Sequence, residues 1–120
     1  MLTNKFRLFL AIIAVIVLVA VILLMKNKNS AAGKNREEIT LILNDITVNA
    51  QTHYKRTNSF DGWVIPGSLR IENVGTFREK VEGNKVTIYV VGKEVGENGI
   101  SNVNIQFVIT GNNATIKIRN

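Results

Sequence analysis

Residues 8–25 are eighteen consecutive apolar side chains, all Leu, Ile, Val, Phe, Ala or Met, with no charge, Gly or Pro among them. As a helix the run would be roughly 27 Å long, close to the thickness of a bilayer hydrocarbon core. Fourteen of the eighteen are Leu, Ile, Val or Phe. Their summed insertion free energy is on the order of −4 to −8 kcal/mol. The run is apolar on every side, so lipid or other helices must surround it. It is expected to be a stem, with Leu8, Ala11, Ala14, Val15, Leu18, Ile22 and Met25 as candidate assembly contacts. Ala11 and Ala14 are small enough to let neighbouring stems approach Val15.

Three readings of the stem stay open on sequence alone: a cleaved secretory signal, a plain single-pass anchor, and a stem that packs among identical stems in a filament. A signal would also carry Lys5 and Arg7 ahead of the apolar run and small residues at Ser30 and Ala32. Its apolar region, however, is usually about 7–15 residues, and here Lys26 and Lys28 intervene before that cut.

A chain of 120 residues has room for one stem and one small head. The division expected is 1–34 as stem and hinge, and 35–120 as head. The net charge of +6 belongs mainly to Lys5, Arg7, Lys26 and Lys28, which bracket the stem. From Lys34 onward, eleven basic against nine acidic residues leave the head at +2, with no basic stripe and no specific nucleic-acid site expected. Charge around the stem slightly favours a cytoplasmic head by the positive-inside rule. The absence of cysteine excludes disulfides, thiolate catalysis and thiolate metal sites.

Gly33 predicts a bend in 27–34. Asn35, with Glu38 three residues on, fits an N-cap and its partner. Ile39, Ile42, Leu43, Ile46, Ala50 and His53/Tyr54 then recur at three- and four-residue steps, predicting an amphipathic helix over 35–57. Asn44, Asp45 and Gln51 are placed on its outward side. Polar turn residues and the single Pro in 58–67 end the helix. Beyond them the period becomes two. Val86, Ile88 and Val90, then Val103, Ile105, Phe107 and Ile109, then Ala114, Ile116 and Ile118 mark strands, with weaker signals at 69–71 and 76–81. Turns are expected at 82–84, 92–99 and 111–113. The fold class is α+β: a long N-terminal hydrophobic and amphipathic helix, lollipop-like, on a small antiparallel sheet of three to five strands spanning about 69–119.

Little in the head carries chemistry, so catalysis, a metal and a cofactor are not expected. His53 is the only histidine and is assigned to packing against the sheet. Asp61, Glu94 and Glu97 do not have the spacing of a calcium loop. Ser59, Ser68 and Ser101 have no base near them in sequence, although folding could bring His53 to one. The segment 92–96 lacks the Gly-Lys-Ser/Thr of a phosphate loop. Phe60, Trp63 and Phe77 are expected to plug the end of the helix–sheet core.

In this order of parts, certain short stretches carry a resemblance. They are Asn35-Arg36-Glu37, Leu43-Asn44-Asp45-Ile46, Ala50-Gln51 and Tyr54-Lys55-Arg56. Further on come Ser59-Phe60-Asp61-Gly62-Trp63, Ile65-Pro66, Leu69, Gly75-Thr76-Phe77 and Gly92-Lys93-Glu94-Val95-Gly96. On these the chain resembles type IV pilins and pseudopilins, most nearly the short, cysteine-free bacterial pilin-like proteins. The resemblance covers roughly 35–100. It implies a stem held first in the inner membrane, a head on its outer side, and extraction by pilus assembly machinery into a helical homo-oligomeric filament. The chain departs from the family in having no acidic residue before Glu37 and no Pro in the stem. The alternative is a pseudopilin-like or plain membrane-anchored binding module that does not polymerise.

Both leading readings need an intact stem. Mass spectrometry of the exported protein should recover peptides covering residues 8–25; a population beginning at Gly33 would instead establish a released domain.

Overall fold

A computed structural model describes residues 30–120 of the chain. The expectations for Leu8, Ala11, Ala14, Val15, Leu18, Ile22 and Met25 lie outside the described residues. Among the described residues, no helix is long and apolar enough to cross a membrane. The head is α+β. Helix α1 (Ala31–Thr57) is followed by a short 3-10 turn (Gly67–Leu69) and four strands: β1 (Gly75–Val81), β2 (Lys85–Val95), β3 (Asn102–Thr110) and β4 (Ala114–Ile118). The strands pair in chain order as an antiparallel meander, β1-β2-β3-β4.

Helix α1 begins four residues before the predicted start. Ser30 is its N-cap, and the hydroxyl accepts from Gly33 N at 3.0 Å. Such a cap contributes about 1 kcal/mol, comparable to what Gly33 costs inside a helix. The bend predicted at 31–34 is therefore helix instead, and Asn35 is an interior residue. At the other end Asn58 adopts a left-handed conformation (φ 62°), and its N–H returns to Tyr54 O at 2.7 Å. This closes the helix where polar turn residues were expected to end it.

The helix lays Ile39, Ile42, Leu43, Ile46 and Ala50 on one face of the sheet, against Val86, Ile88 and Val90 of β2 and Val103, Ile105, Phe107 and Ile109 of β3. Thr40 and Thr47 also lie on this buried side, each hydroxyl returning to a carbonyl one turn back at 2.7 Å. Tyr54 and Ile116 are only partly buried and pack at the margin of this core.

Two strand expectations need correction. The stretch 69–71 is no strand: Leu69 closes the 3-10 turn through a bond from its N–H to Pro66 O. Residues 92–95, predicted as part of a turn, continue β2 through a register irregularity between Val91 and Val95. The turn proper lies beyond, where Gly99 takes φ 72° and Gly96 N–H bonds to Ser101 O at 2.8 Å.

Phe60, Trp63 and Phe77 are all buried, but they do not share one end of the core as expected. Phe77 pairs with Val90, two residues from the Gly75–Gly92 pair beside Asn35, whereas Phe60 lies at the far end of α1. The Phe60 ring lies 4.7 Å from that of Tyr54, and Phe60 N–H reaches Gly83 O in the β1–β2 turn. Trp63 donates its indole N–H to Asn49 Oδ1 at 2.9 Å. Truncating such an aromatic typically costs about 3–5 kcal/mol. In a fragment spanning 30–120, which keeps the Ser30 cap, Trp63→Ala should lower the thermal midpoint by many degrees. An unchanged melt would mean that Trp63 contributes no core packing.

Candidate functional site

The described residues begin at Ser30, at the N-terminus of α1. The first turn of α1 sits there beside the β2–β3 turn. Ser30, Ala31 and Ala32 face Val95, Gly96 and Glu97 across a shallow open cleft. One turn further on, Arg36 is only 2% exposed and reaches Glu97 at 3.2 Å, a carboxylate left half open to solvent. A buried guanidinium without a partner would cost several kcal/mol, so this pair fixes the β2–β3 turn to the helix. Asn120 holds the same turn from the far side. Its amide donates to Ser101 O (2.8 Å) and Asn102 O (3.2 Å), and its oxygen accepts from Asn98 N (3.1 Å). Ile100 stands at the tip, 87% exposed.

Two buried amides pin α1 to the sheet, one near each end. Asn35 is wholly buried; its Nδ2 donates to Val74 O at 2.8 Å and its Oδ1 accepts from Glu94 N at 3.3 Å. A Cβ on Gly92 would lie 2.2 Å from that Oδ1, so the helix amide occupies the space a side chain would need. The β2 irregularity lies at this point. Four turns along, Gln51 Nε2 donates to Thr110 O (3.1 Å) and Asn113 O (3.3 Å) in the β3–β4 hairpin. Gln51 thus lies on the buried side, contrary to the outward position expected of it. Periodicity scores both residues as polar and carries no sign of the carbonyls they reach.

Of the residues considered for chemistry, His53, Ser59 and Asp61 are committed to the loop after α1, while Glu94 lies in β2 and Ser101 in the β2–β3 turn. His53 is partly buried and packs beside that loop rather than against the sheet, its Nε2 3.1 Å from Asp61 O. Ser59 Oγ donates to Gly83 O at 3.3 Å and accepts from Asp61 N at 3.0 Å. Folding does bring His53, Ser59 and Asp61 together, but these bonds run to backbone groups and close the loop. Asp61 lies in this loop, whereas Glu97 is ion-paired at the opposite end of the helix. Among the described residues, no group of three or more His, Asp or Glu side chains could hold a metal ion.

No known protein family, curated protein or solved structure matches this chain.

Removing the Asn35 amide would leave Glu94 N–H without its side-chain acceptor and Val74 O with only the Lys93 N–H at 3.2 Å; an orphaned buried group costs about 1–3 kcal/mol. Asn35→Ala should therefore destabilise the 30–120 fragment in urea by that order, and Gln51→Ala by less, because its site is part-buried. A midpoint unmoved by Asn35→Ala would contradict the pinning role.

Proposed function

We propose that this chain is a structural subunit of an extracellular, type IV pilus-like filament, assembled by packing of its N-terminal hydrophobic helices. The observation that carries this reading is the order of parts. An apolar run long enough to cross a bilayer ends only five residues before a capped helix that is itself clamped onto a four-stranded meander. A rigid helix–sheet unit at the end of a stem suits a repeating subunit, because every copy then presents the same surfaces. On this reading the chain sits in the inner membrane before assembly, as a single-pass protein, and reaches the cell surface in the filament. The pilus assembly machinery is the implied partner, through the resemblance alone.

The second reading is a pseudopilin-like or plain anchored head that does not polymerise. It is favoured by one observation: no acidic residue precedes Glu37, so no carboxylate in the stem is available to offset a neighbour's terminal amine.

Val15→Lys separates the two. A lysine near the bilayer centre costs about 2.5–3.5 kcal/mol, less than the summed insertion gain of the stem, so membrane levels should stay near normal. In a packed core the same lysine recurs in every subunit, desolvated and without an acid to pair with. Filaments should be lost, as seen by negative-stain microscopy of sheared surface material. Full-length filaments in the variant would rule out a packed stem core.

A further inference from the structure

The face of the sheet turned away from α1 gathers cations that lie about forty residues apart in sequence. The register places Arg78, Tyr89, Gln106 and Lys117 side by side across the four strands. The neighbouring row is Lys80, Thr87, Val108 and Thr115; on the other side, Thr76, Val91 and Asn104 are aligned, with Arg119 bonded to Asn104 through its backbone. No carboxylate occupies any of these outward positions. Arg78 and Lys80 form one cationic rail on β1. Lys117 and Arg119 form another along and just beyond β4. Three strand spacings separate the rails by about 14 Å. None of the four is in an ion pair among the described residues.

Between the rails the floor is neutral, and it carries an aromatic ring: Tyr89 is 43% exposed. Gln106 Oε1 already accepts from Arg119 Nε (3.2 Å) and Nη2 (2.9 Å). What Gln106 has left to offer is its amide N–H groups. Cations at both edges of an exposed aromatic and an amide donor match a flexible chain of phosphates bearing flat, hydrogen-bonding bases.

We infer that this face binds a single-stranded nucleic acid, with phosphates on the two rails and a base stacked on Tyr89. The inference rests on the sheet alone and holds whether or not the chain polymerises. A single strand fits better than a duplex, because a ring on a flat sheet reaches a base only where that base is unstacked and splayed outward. It also fits better than the acidic side of α1 in a second copy. There Glu38 is already ion-paired with its own Lys93 at 3.9 Å, which leaves Glu37 and Asp45 to face four cations, and the exposed Leu41 between them offers neither a charge nor a hydrogen bond.

The test uses the full chain in micelles of an uncharged detergent and a fluorescein-labelled twenty-residue oligo-dT, read by anisotropy across a salt series. Four phosphate contacts predict a log–log salt slope of about −3, and Arg78→Gln with Lys117→Gln should bring it to about −1.4. Tyr89→Ala should weaken binding by about tenfold with the slope unchanged, and Tyr89→Phe should restore it. All these side chains are exposed, so circular dichroism spectra should match the parent. Binding that ignores the sheet substitutions would assign the affinity to the cations flanking the stem and overturn the inference. Preference for the duplex of equal length would overturn it, and so would full retention in Tyr89→Ala. Salt-sensitive self-association abolished by Asp45→Lys, with no oligo-dT binding, would give the face to a second copy instead.

Discussion

Helix α1 is held to the sheet mainly through the two central strands. It rests on β2 and β3, while the edge strands also reach the core directly, β1 through Phe77 and β4 through Ala114. Apolar contact between a helix and a sheet face is non-directional, so by itself it would let the helix slide and rotate. Asn35 and Gln51 remove that freedom. Each is a directional, largely desolvated amide aimed at carbonyls of the sheet or of the loops at its edge, and they act about four turns apart. The Arg36–Glu97 pair adds a third tie at the end nearest the N-terminal segment. A head fixed in this way moves as one body with the first turn of its helix.

The apolar spine of this arrangement was legible in the sequence. Three- and four-residue steps from Ile39 to Ala50 mark the helix face, and two-residue steps around Ile88, Ile105 and Ile116 mark the strands. The buried ends were less legible, because the local rules there have two uses. Asn35 followed by Glu38 is a good cap signal, yet Ser30 makes the cap and the asparagine is spent on the sheet. Gly92 reads as a turn residue until the helix amide is seen to occupy its missing side chain's place. The cationic rails were illegible for a different reason. Arg78 and Lys117 sit on opposite edges of the sheet, and only the strand register makes them ends of one row.

On the filament reading, the stem and head divide the physics of assembly. Lipid tails are as apolar as leucine, so exchanging a bilayer for a bundle of like stems changes little hydrophobic free energy. Stem packing can therefore be reversible, and direction must come from polar contacts among heads and from an external motor. If the stem runs on from α1, the helix side of each head lies toward the filament axis. The outer face of the sheet then points away from it, leaving the basic rows around Tyr89 turned to the surroundings.

Helical reconstruction by electron cryo-microscopy, applied to material sheared from cells that express the chain, tests the central claim most directly. The account predicts filaments with a central bundle of helices formed by residues 8–25 of successive copies, surrounded by heads whose four-stranded sheets face outward. Cells that carry normal membrane levels of the chain yet yield no filament containing it would contradict the account.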